Sequence, residues 1–181
     1  MAVLLVSPAL SVRAQQPITF QYFYDDLNQL AKVVDSTGVV IQYGYDPVGN
    51  ILQINRSTVV PGALTIFNVS PQTVATGGML TIQGQGFSTT PSLNVVTIGG
   101  VAAPVLSASG TALVVMVPSG AMTGTIAVTV GGSTVTFGST ETVIPGPIIS
   151  SVKPHAAQAG TTVTVSVTGG NLVGSTFSLF S

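Results

Sequence analysis

The sequence contains no cysteine and no tryptophan, and it has very little charge. Without cysteine, the chain can form neither disulfides nor thiolate metal sites. Only 5% of its residues are charged, whereas a soluble domain usually carries about 25%. Four Lys and Arg residues against five Asp and Glu residues give a net charge of −1. Because nucleic-acid phosphates require several cations on one face, we expect no nucleic-acid partner.

The residues of a catalytic or metal site are also scarce. The single histidine, His155, follows Pro154 far in sequence from any acid, and we interpret it as an exposed turn residue. Four aspartates could supply oxygen ligands, namely Asp25, Asp26, Asp35 and Asp46. They are scattered over turns, whereas a calcium loop places its ligands at alternate positions. We therefore predict turn capping by these aspartates, no catalytic residue, no metal, no cofactor, and a protein that is not an enzyme.

The chain is instead rich in apolar residues that alternate with Thr, Ser, Gly, Gln and Asn. This pattern is typical of short strands joined by tight turns, and we predict an all-β fold. Two breaks divide the chain, a linker over residues 59–62 and a pair of prolines within 144–147, through which no strand can run. The predicted segments are 17–58, 62–143 and 147–181.

The first residues predict export. Residues 2–12 are mostly apolar but shorter than the ~20 residues that span a membrane, so we predict a signal peptide over residues 1–14 and no transmembrane segment. Gln15 would begin the mature chain. No Lys or Arg precedes the apolar run, which leaves two alternatives: a start codon further upstream or a frayed apolar terminus.

The first segment contains an internal repeat. The motif Tyr22-Phe23-Tyr24-Asp25 returns after twenty-one residues as Tyr43-Gly44-Tyr45-Asp46. In each copy the two tyrosines share one face of a strand and the aspartate opens a turn. Asn28 and Gly49 fall at equivalent positions suited to a left-handed backbone. The segment closely resembles the YD repeats of RHS-type bacterial surface proteins, a resemblance that implies β-hairpins, carbohydrate binding, or enclosure of a toxin.

The second segment shows strands at regular spacing. They are predicted at residues 79–83, 94–98, 112–117 and 125–130, separated by glycine or proline turns. With Ser70-Pro71, the Gly84-Gln85-Gly86-Phe87 turn and Val117-Pro118, the segment strongly resembles the IPT/TIG domain. That resemblance implies an immunoglobulin-like β-sandwich but no single activity. The DNA-binding branch of the family needs basic loops, and residues 61–144 contain no Lys or Arg.

The third segment restarts the same motif. Residues 149–154 lie 83 positions after residues 66–71, and Val163-Thr164-Val165 aligns with the strand residues Leu80-Thr81-Ile82. The segment resembles the front half of a second such module. We expect this incomplete sandwich to be poorly packed, or to be covered by its neighbour or by more of a longer protein.

The resemblances and the composition together predict a secreted or cell-surface bacterial module that acts as a spacer or adhesin. Tyr22, Tyr24, Tyr43 and Tyr45 are the candidate ligand-binding residues, because aromatic faces with polar rims bind sugars; cross-strand packing explains them as well. The expected partners are proteins or glycans, and strand edges without Lys or Pro predict self-association. Two alternatives are a fragment of an RHS toxin-delivery protein and a non-catalytic part of a carbohydrate-acting enzyme.

Overall fold

The fold is known from a computed structural model that describes residues 16–158, 160–173 and 176. Over these residues the fold is all-β, and its only helical element is a single 3₁₀ turn at Pro91–Leu93. The part of the chain that the structure describes contains no helix with the length and apolarity needed to cross a membrane. The predicted signal peptide over residues 1–14 lies outside the described residues.

The first segment forms a four-stranded antiparallel sheet, here called the tyrosine sheet. Its strands are β1 (Phe20–Tyr24), β2 (Leu30–Asp35), β3 (Val39–Tyr45) and β4 (Ile51–Thr58). They follow one another in the order β1-β2-β3-β4, so that each strand pairs with its neighbour in sequence. Two strands per repeat thus produce one continuous sheet from the two repeats.

Three of the four aspartates, Asp25, Asp35 and Asp46, cap turns of the tyrosine sheet as predicted. The prediction is wrong for Asp26, whose carboxylate accepts hydrogen bonds from Ser70 and Gln72 instead. The Asp25 carboxylate accepts hydrogen bonds from the backbone N–H groups of Leu27 and Gln29, at 2.9 and 2.8 Å. Asp46 makes the same contacts in the second repeat, and Asn28 and Gly49 have φ angles of 59° and 93°. Both turns need a residue that tolerates positive φ. The two copies of the repeat therefore share a turn conformation as well as a sequence motif.

Residues 65–144 form a two-sheet sandwich, here called the sandwich. Its strands are β5 (Thr65–Ser70), β6 (Thr73–Ala75), β7 (Met79–Gln85), β8 (Asn94–Ile98), β9 (Val101–Ala103), β10 (Val105–Ala108), β11 (Ala112–Met116), β12 (Gly124–Val130) and β13 (Ser133–Ile144). One sheet has the order β10-β11-β7-β5 and the other the order β6-β13-β12-β8-β9. The four strands predicted for this segment are all present.

The core of the sandwich consists of the inward-facing residues of both sheets. Ile82 and Leu113 from one sheet and Ile98 and Ile126 from the other are fully buried, and each contributes about 1.5–3 kcal/mol through the hydrophobic effect. On β7 the buried Leu80 and Ile82 alternate with half-buried polar residues, as the sequence pattern predicts. Two facing sheets with such alternation define the immunoglobulin-like layer architecture.

The third segment forms a hairpin of β14 (Ile148–Lys153) and β15 (Ser166–Gly170), here called the terminal hairpin. The prediction that Val163-Thr164-Val165 corresponds to Leu80-Thr81-Ile82 is wrong, because residues 161–165 form no strand. Val152 pairs with Val167, as Val69 pairs with Ile82. Val152 lies 83 positions after Val69, whereas Val167 lies 85 positions after Ile82, so two extra residues precede the second strand. The pairing of the strands, rather than the local apolar pattern, therefore determines the correspondence.

A β-bulge on β5 connects the sandwich to the tyrosine sheet. The register of β5 against β7 shifts between Ile66 and Asn68. As a result, Phe67 and Asn68 both face the tyrosine sheet, whereas Ile66 and Val69 on either side of them face the sandwich core. Phe67 packs in a separate cluster with residues of the tyrosine sheet. Bulges commonly redirect a side chain in this way, and here the redirected side chain is the centre of the contact between the two modules.

Candidate binding site

The tyrosine sheet and the sandwich share a small hydrophobic cluster. Phe23, Val34 and Val40 from the sheet are buried against Phe67 from the sandwich. The Phe23 and Phe67 rings have a centroid distance of 5.5 Å and an interplanar angle of 49°, within the range of favourable aromatic pairs. Since Phe67 supplies one of the four buried residues of this cluster, the sheet lacks a complete core of its own.

Polar contacts surround the cluster. The ammonium group of Lys32 donates a hydrogen bond to the Phe67 carbonyl oxygen, and burial lowers the pKa of Lys32. The buried Asn68 amide donates to the Tyr24 carbonyl oxygen at 3.3 Å and to the Gln83 side-chain oxygen at 3.2 Å. These contacts satisfy buried polar groups and fix the position of the sheet on the sandwich.

A second polar contact involves the first aspartate turn. The Asp26 carboxylate accepts hydrogen bonds from the Gln72 backbone N–H at 2.8 Å and from the Ser70 hydroxyl at 3.2 Å. The backbone N–H of Thr142, next to Glu141 on β13, donates to the Gln72 carbonyl oxygen. One short network thus connects the tyrosine sheet to both sheets of the sandwich.

Glu141 is the most unusual side chain at the junction. It is only 1% exposed, and its Oε1 atom has no hydrogen-bond partner among the described residues. Burial, with a smaller contribution from the Asp26 charge, raises the pKa of Glu141 to about 7. A carboxyl group with this pKa is half protonated near neutral pH, so the junction contains a group that titrates under physiological conditions.

One cleft at the junction has a volume of about 730 Å³. Its walls come from both modules: Tyr43 and Tyr45 from β3, and residues 137–139 from a β13 bulge. Four amide side chains contribute to its lining, namely Gln29, Gln42, Asn68 and Gln72. Asp25, Asp46 and Lys32 also line it. The cleft therefore combines aromatic walls with many neutral hydrogen-bonding groups.

The second cleft has a volume of about 370 Å³ and lies beside β1. Tyr22 and Tyr24 form one side, and Thr81 and Gln83 on the outer face of β7 form the other. Both tyrosines are about half exposed, at 57% and 51%. Their rings are therefore accessible to a ligand.

The four candidate tyrosines line two different clefts, Tyr43 and Tyr45 the first and Tyr22 and Tyr24 the second. Tyr22 pairs across the strands with Val33, and Tyr43 pairs with Ile54. The Tyr45 hydroxyl donates to the Leu30 carbonyl oxygen at 2.9 Å, so that this tyrosine also ties β3 to β2. Each cleft receives one Tyr-x-Tyr pair because the two copies of the motif lie on β1 and β3, with β2 between them.

Sequence reasoning missed three junction residues, Lys32, Phe67 and Glu141. A signal was present for two of them, because Lys32 interrupts the apolar residues of β2 and Glu141 is a lone acid in a Thr-rich strand. Buried charged residues are rare and usually have a specific partner or role. Phe67 gave no such signal, since its position depends on the bulge.

The fold defines an immunoglobulin-like β-sandwich preceded by an antiparallel tyrosine-rich sheet. Comparison with family models identifies both parts. Residues 24–58 match the RHS Repeat, and residues 64–144 match the IPT/TIG domain. The chain therefore carries an RHS repeat followed by an IPT/TIG domain, in the predicted order, and both resemblances are confirmed. Neither match extends past residue 144, so the assignment of residues 147–181 to a partial second module stays a prediction.

Several solved structures are similar to parts of the chain. An auxiliary nutrient binding protein from Bacteroides thetaiotaomicron is 24% identical over 46% of this chain and 21% of its own, with a TM-score of 0.42. Another, from Bacteroides ovatus, is 22% identical over 48% of this chain and 22% of its own, with a TM-score of 0.45. The chain thus spans about a fifth of the length of these structures. A search of curated proteins gives no match.

Proposed function

We propose that this chain is a non-catalytic structural module displayed outside a bacterial cell, in which the RHS repeat is held rigidly on an immunoglobulin-like spacer. The observation that carries the proposal is the shared cluster around Phe67, because the tyrosine sheet completes its core with a residue of the sandwich. RHS repeats and IPT/TIG domains are typical of surface proteins, and this supports the proposed location. The exposed turn position of His155 is consistent with a role without catalysis.

Rigid docking can be measured by nuclear magnetic resonance relaxation. We expect backbone amides of the tyrosine sheet and of the sandwich to show one common rotational correlation time, and Phe67→Ala to separate the two values. A wild-type chain whose two modules tumble independently would contradict the rigid-spacer proposal. Export is a separate question, answered by protease accessibility of the protein on intact bacterial cells.

A second candidate function is binding of a neutral glycan in the two clefts. Tyrosine faces stack on the apolar faces of sugar rings, and amide side chains exchange hydrogen bonds with sugar hydroxyls. The larger cleft has two tyrosines and four amides in its lining, and the smaller one has two half-exposed tyrosines. The tyrosine rings and the neutral amides favour a sugar ligand, and Asp25, Asp46 and Lys32 add further hydrogen-bonding groups to the larger cleft.

A glycan array tests this candidate function. We expect retention by the wild-type chain and at least tenfold weaker retention by Tyr22→Ala or Tyr43→Ala, depending on which cleft is used. Phe20→Ala is the matched control, because Phe20 lies on the same strand as Tyr22, has a similar exposure of 54% and lines neither cleft. Unchanged retention in both tyrosine variants would exclude the clefts as glycan sites.

The two alternative origins differ in what adjoins the module in its parent gene. A toxin-delivery protein would add many RHS repeats before residue 16 and a toxin domain at the C-terminal end. A carbohydrate-acting enzyme would add a catalytic domain rich in carboxylates. Sequencing the flanking gene regions distinguishes these two origins from a simple adhesin.

A further inference from the structure

The free edge of the tyrosine sheet is formed by β4, and its eight residues are all exposed. Both faces of the strand are open, so β4 extends beyond the part of the sheet that packs on Phe67. β4 contains no proline, no lysine and no acid, and its only charged residue is Arg56. Natural edge strands are normally protected by such residues, or by bulges and covering loops. Along the regular stretch from Gln53 to Thr58, Arg56 is the only such protection, and the stretch has no bulge.

The chain's own topology leads away from this edge. In a meander that runs β1-β2-β3-β4, any strand that precedes β1 would be added beside β1, on the opposite edge. After β4, the Val59 N–H continues the pairing with β3 by donating to the Gly38 carbonyl oxygen at 2.8 Å, and the chain then turns where the Ala63 N–H donates to the Val60 carbonyl oxygen at 3.1 Å. It then enters the sandwich at Thr65. No described residue therefore pairs with the outer edge of β4.

We propose that β4 pairs with β4 of a second copy of this chain, antiparallel and about a two-fold axis centred on Ile54. An axis perpendicular to the sheet places Ile54 opposite itself and Gln53 opposite Asn55, within the regular part of the strand. A register centred on Arg56 is unfavourable, because two guanidinium groups would face each other. The result is an isologous dimer with a continuous eight-stranded sheet.

The side chains of β4 suit this register. Ile54 is 59% exposed and pairs with Tyr43 on β3, so the dimer would contain an apolar row of Tyr43, Ile54 and their two symmetry equivalents. Gln53 and Asn55 already form an amide hydrogen bond of 2.9 Å within one strand, and across the two-fold axis each amide would face the other type. The net charge of −1 provides little repulsion between copies.

A single cysteine tests the register directly, since the chain has no cysteine of its own. In the proposed dimer, Ile54→Cys places two Cβ atoms directly opposite each other, about 4.5–5.5 Å apart, close enough for a disulfide after a small adjustment. Arg56→Cys is the control on the same strand, because its two sulfurs would be about 13 Å apart. We expect rapid oxidative crosslinking of the first variant and at least tenfold slower crosslinking of the second.

Sedimentation velocity of the full chain tests the dimer itself. We expect a concentration-dependent shift from monomer to dimer, and Ile54→Lys should raise Kd at least about tenfold by placing two ammonium groups opposite each other. Val95→Lys is the matched control, because Val95 is 56% exposed on the interior strand β8. Far-UV circular dichroism establishes that both variants are folded. A monomer at every concentration, equal crosslinking by both cysteine variants, or a dimer unaffected by Ile54→Lys would overturn the proposal.

Discussion

At the scale of single residues, Glu141 has the largest predicted influence on stability. A buried carboxyl group without a partner for Oε1 is stable only in its neutral form, and its pKa of about 7 lies above the ordinary value of 4.5. The folded state therefore binds a proton more tightly than the unfolded state. Its contribution to stability is complete below pH 4.5 and is lost as pH rises to about 7, which amounts to roughly 3 kcal/mol.

We predict that Glu141→Gln removes this pH dependence, because the amide does not ionise. Urea unfolding at pH 4.5 and pH 8 should show a large loss of stability in the wild-type chain and little change in the variant. Asp35 and Asp46 do not interfere: hydrogen bonds from Thr37 and Asn50 lower the pKa of these carboxyls, so their effects fall at more acidic pH. Equal slopes in the wild type and the variant would show that Glu141 is ionised in the folded state.

The two repeat turns give a second prediction at this scale. Gly49→Ala should cost about 1–2 kcal/mol, because an L side chain at φ of 93° is strained. Asn28→Gly, at φ of 59° in the equivalent turn, should change stability by only a few tenths of a kcal/mol. Denaturant midpoints followed by tyrosine fluorescence compare the two variants. Equal losses of unfolding free energy in Gly49→Ala and Asn28→Gly would contradict this account of the two turns.

At the level of secondary-structure elements, the bulge in β5 connects the two modules. It turns Phe67 away from the sandwich core and into the cluster with Phe23, so that the tyrosine sheet depends on the sandwich for its core. Isolated small sheets are marginally stable. The bulge thus makes two sequence modules into one structural unit.

We predict that Phe67→Ala destabilises the tyrosine sheet by about 3 kcal/mol and leaves the sandwich folded, because the sandwich core lies on the other side of β5. Tyrosine fluorescence isolates this effect, since all four tyrosines lie in the sheet and the chain has no tryptophan. The sheet should then melt before the far-UV signal of the sandwich. Met79→Ala, which changes a 62% exposed residue on β7, is the control and should leave both signals coincident.

At the scale of the whole molecule, the junction predicts cooperative unfolding. The tyrosine sheet and the sandwich share the Phe67 cluster and the contacts of Asp26 with Ser70 and Gln72. In the wild-type chain, tyrosine fluorescence and far-UV circular dichroism should therefore give one coincident thermal transition. Two separate transitions in the wild type would mean that the contact between the modules is too weak to couple them.

The all-β class, the two modules and their order, and the turns capped by Asp25, Asp35 and Asp46 could all be predicted from the sequence. They depend on local features, namely alternation, glycine and aspartate positions, and an internal repeat. The correspondence of Val163-Thr164-Val165 failed because strand register depends on a partner strand. The candidate tyrosines could be named from the sequence, but their division between two clefts could not. That division depends on the packing of the two modules, and so do the burial of Glu141, the partial burial of Lys32 and the position of Phe67 against the sheet. Each results from how two modules pack and not from the residues of either one alone.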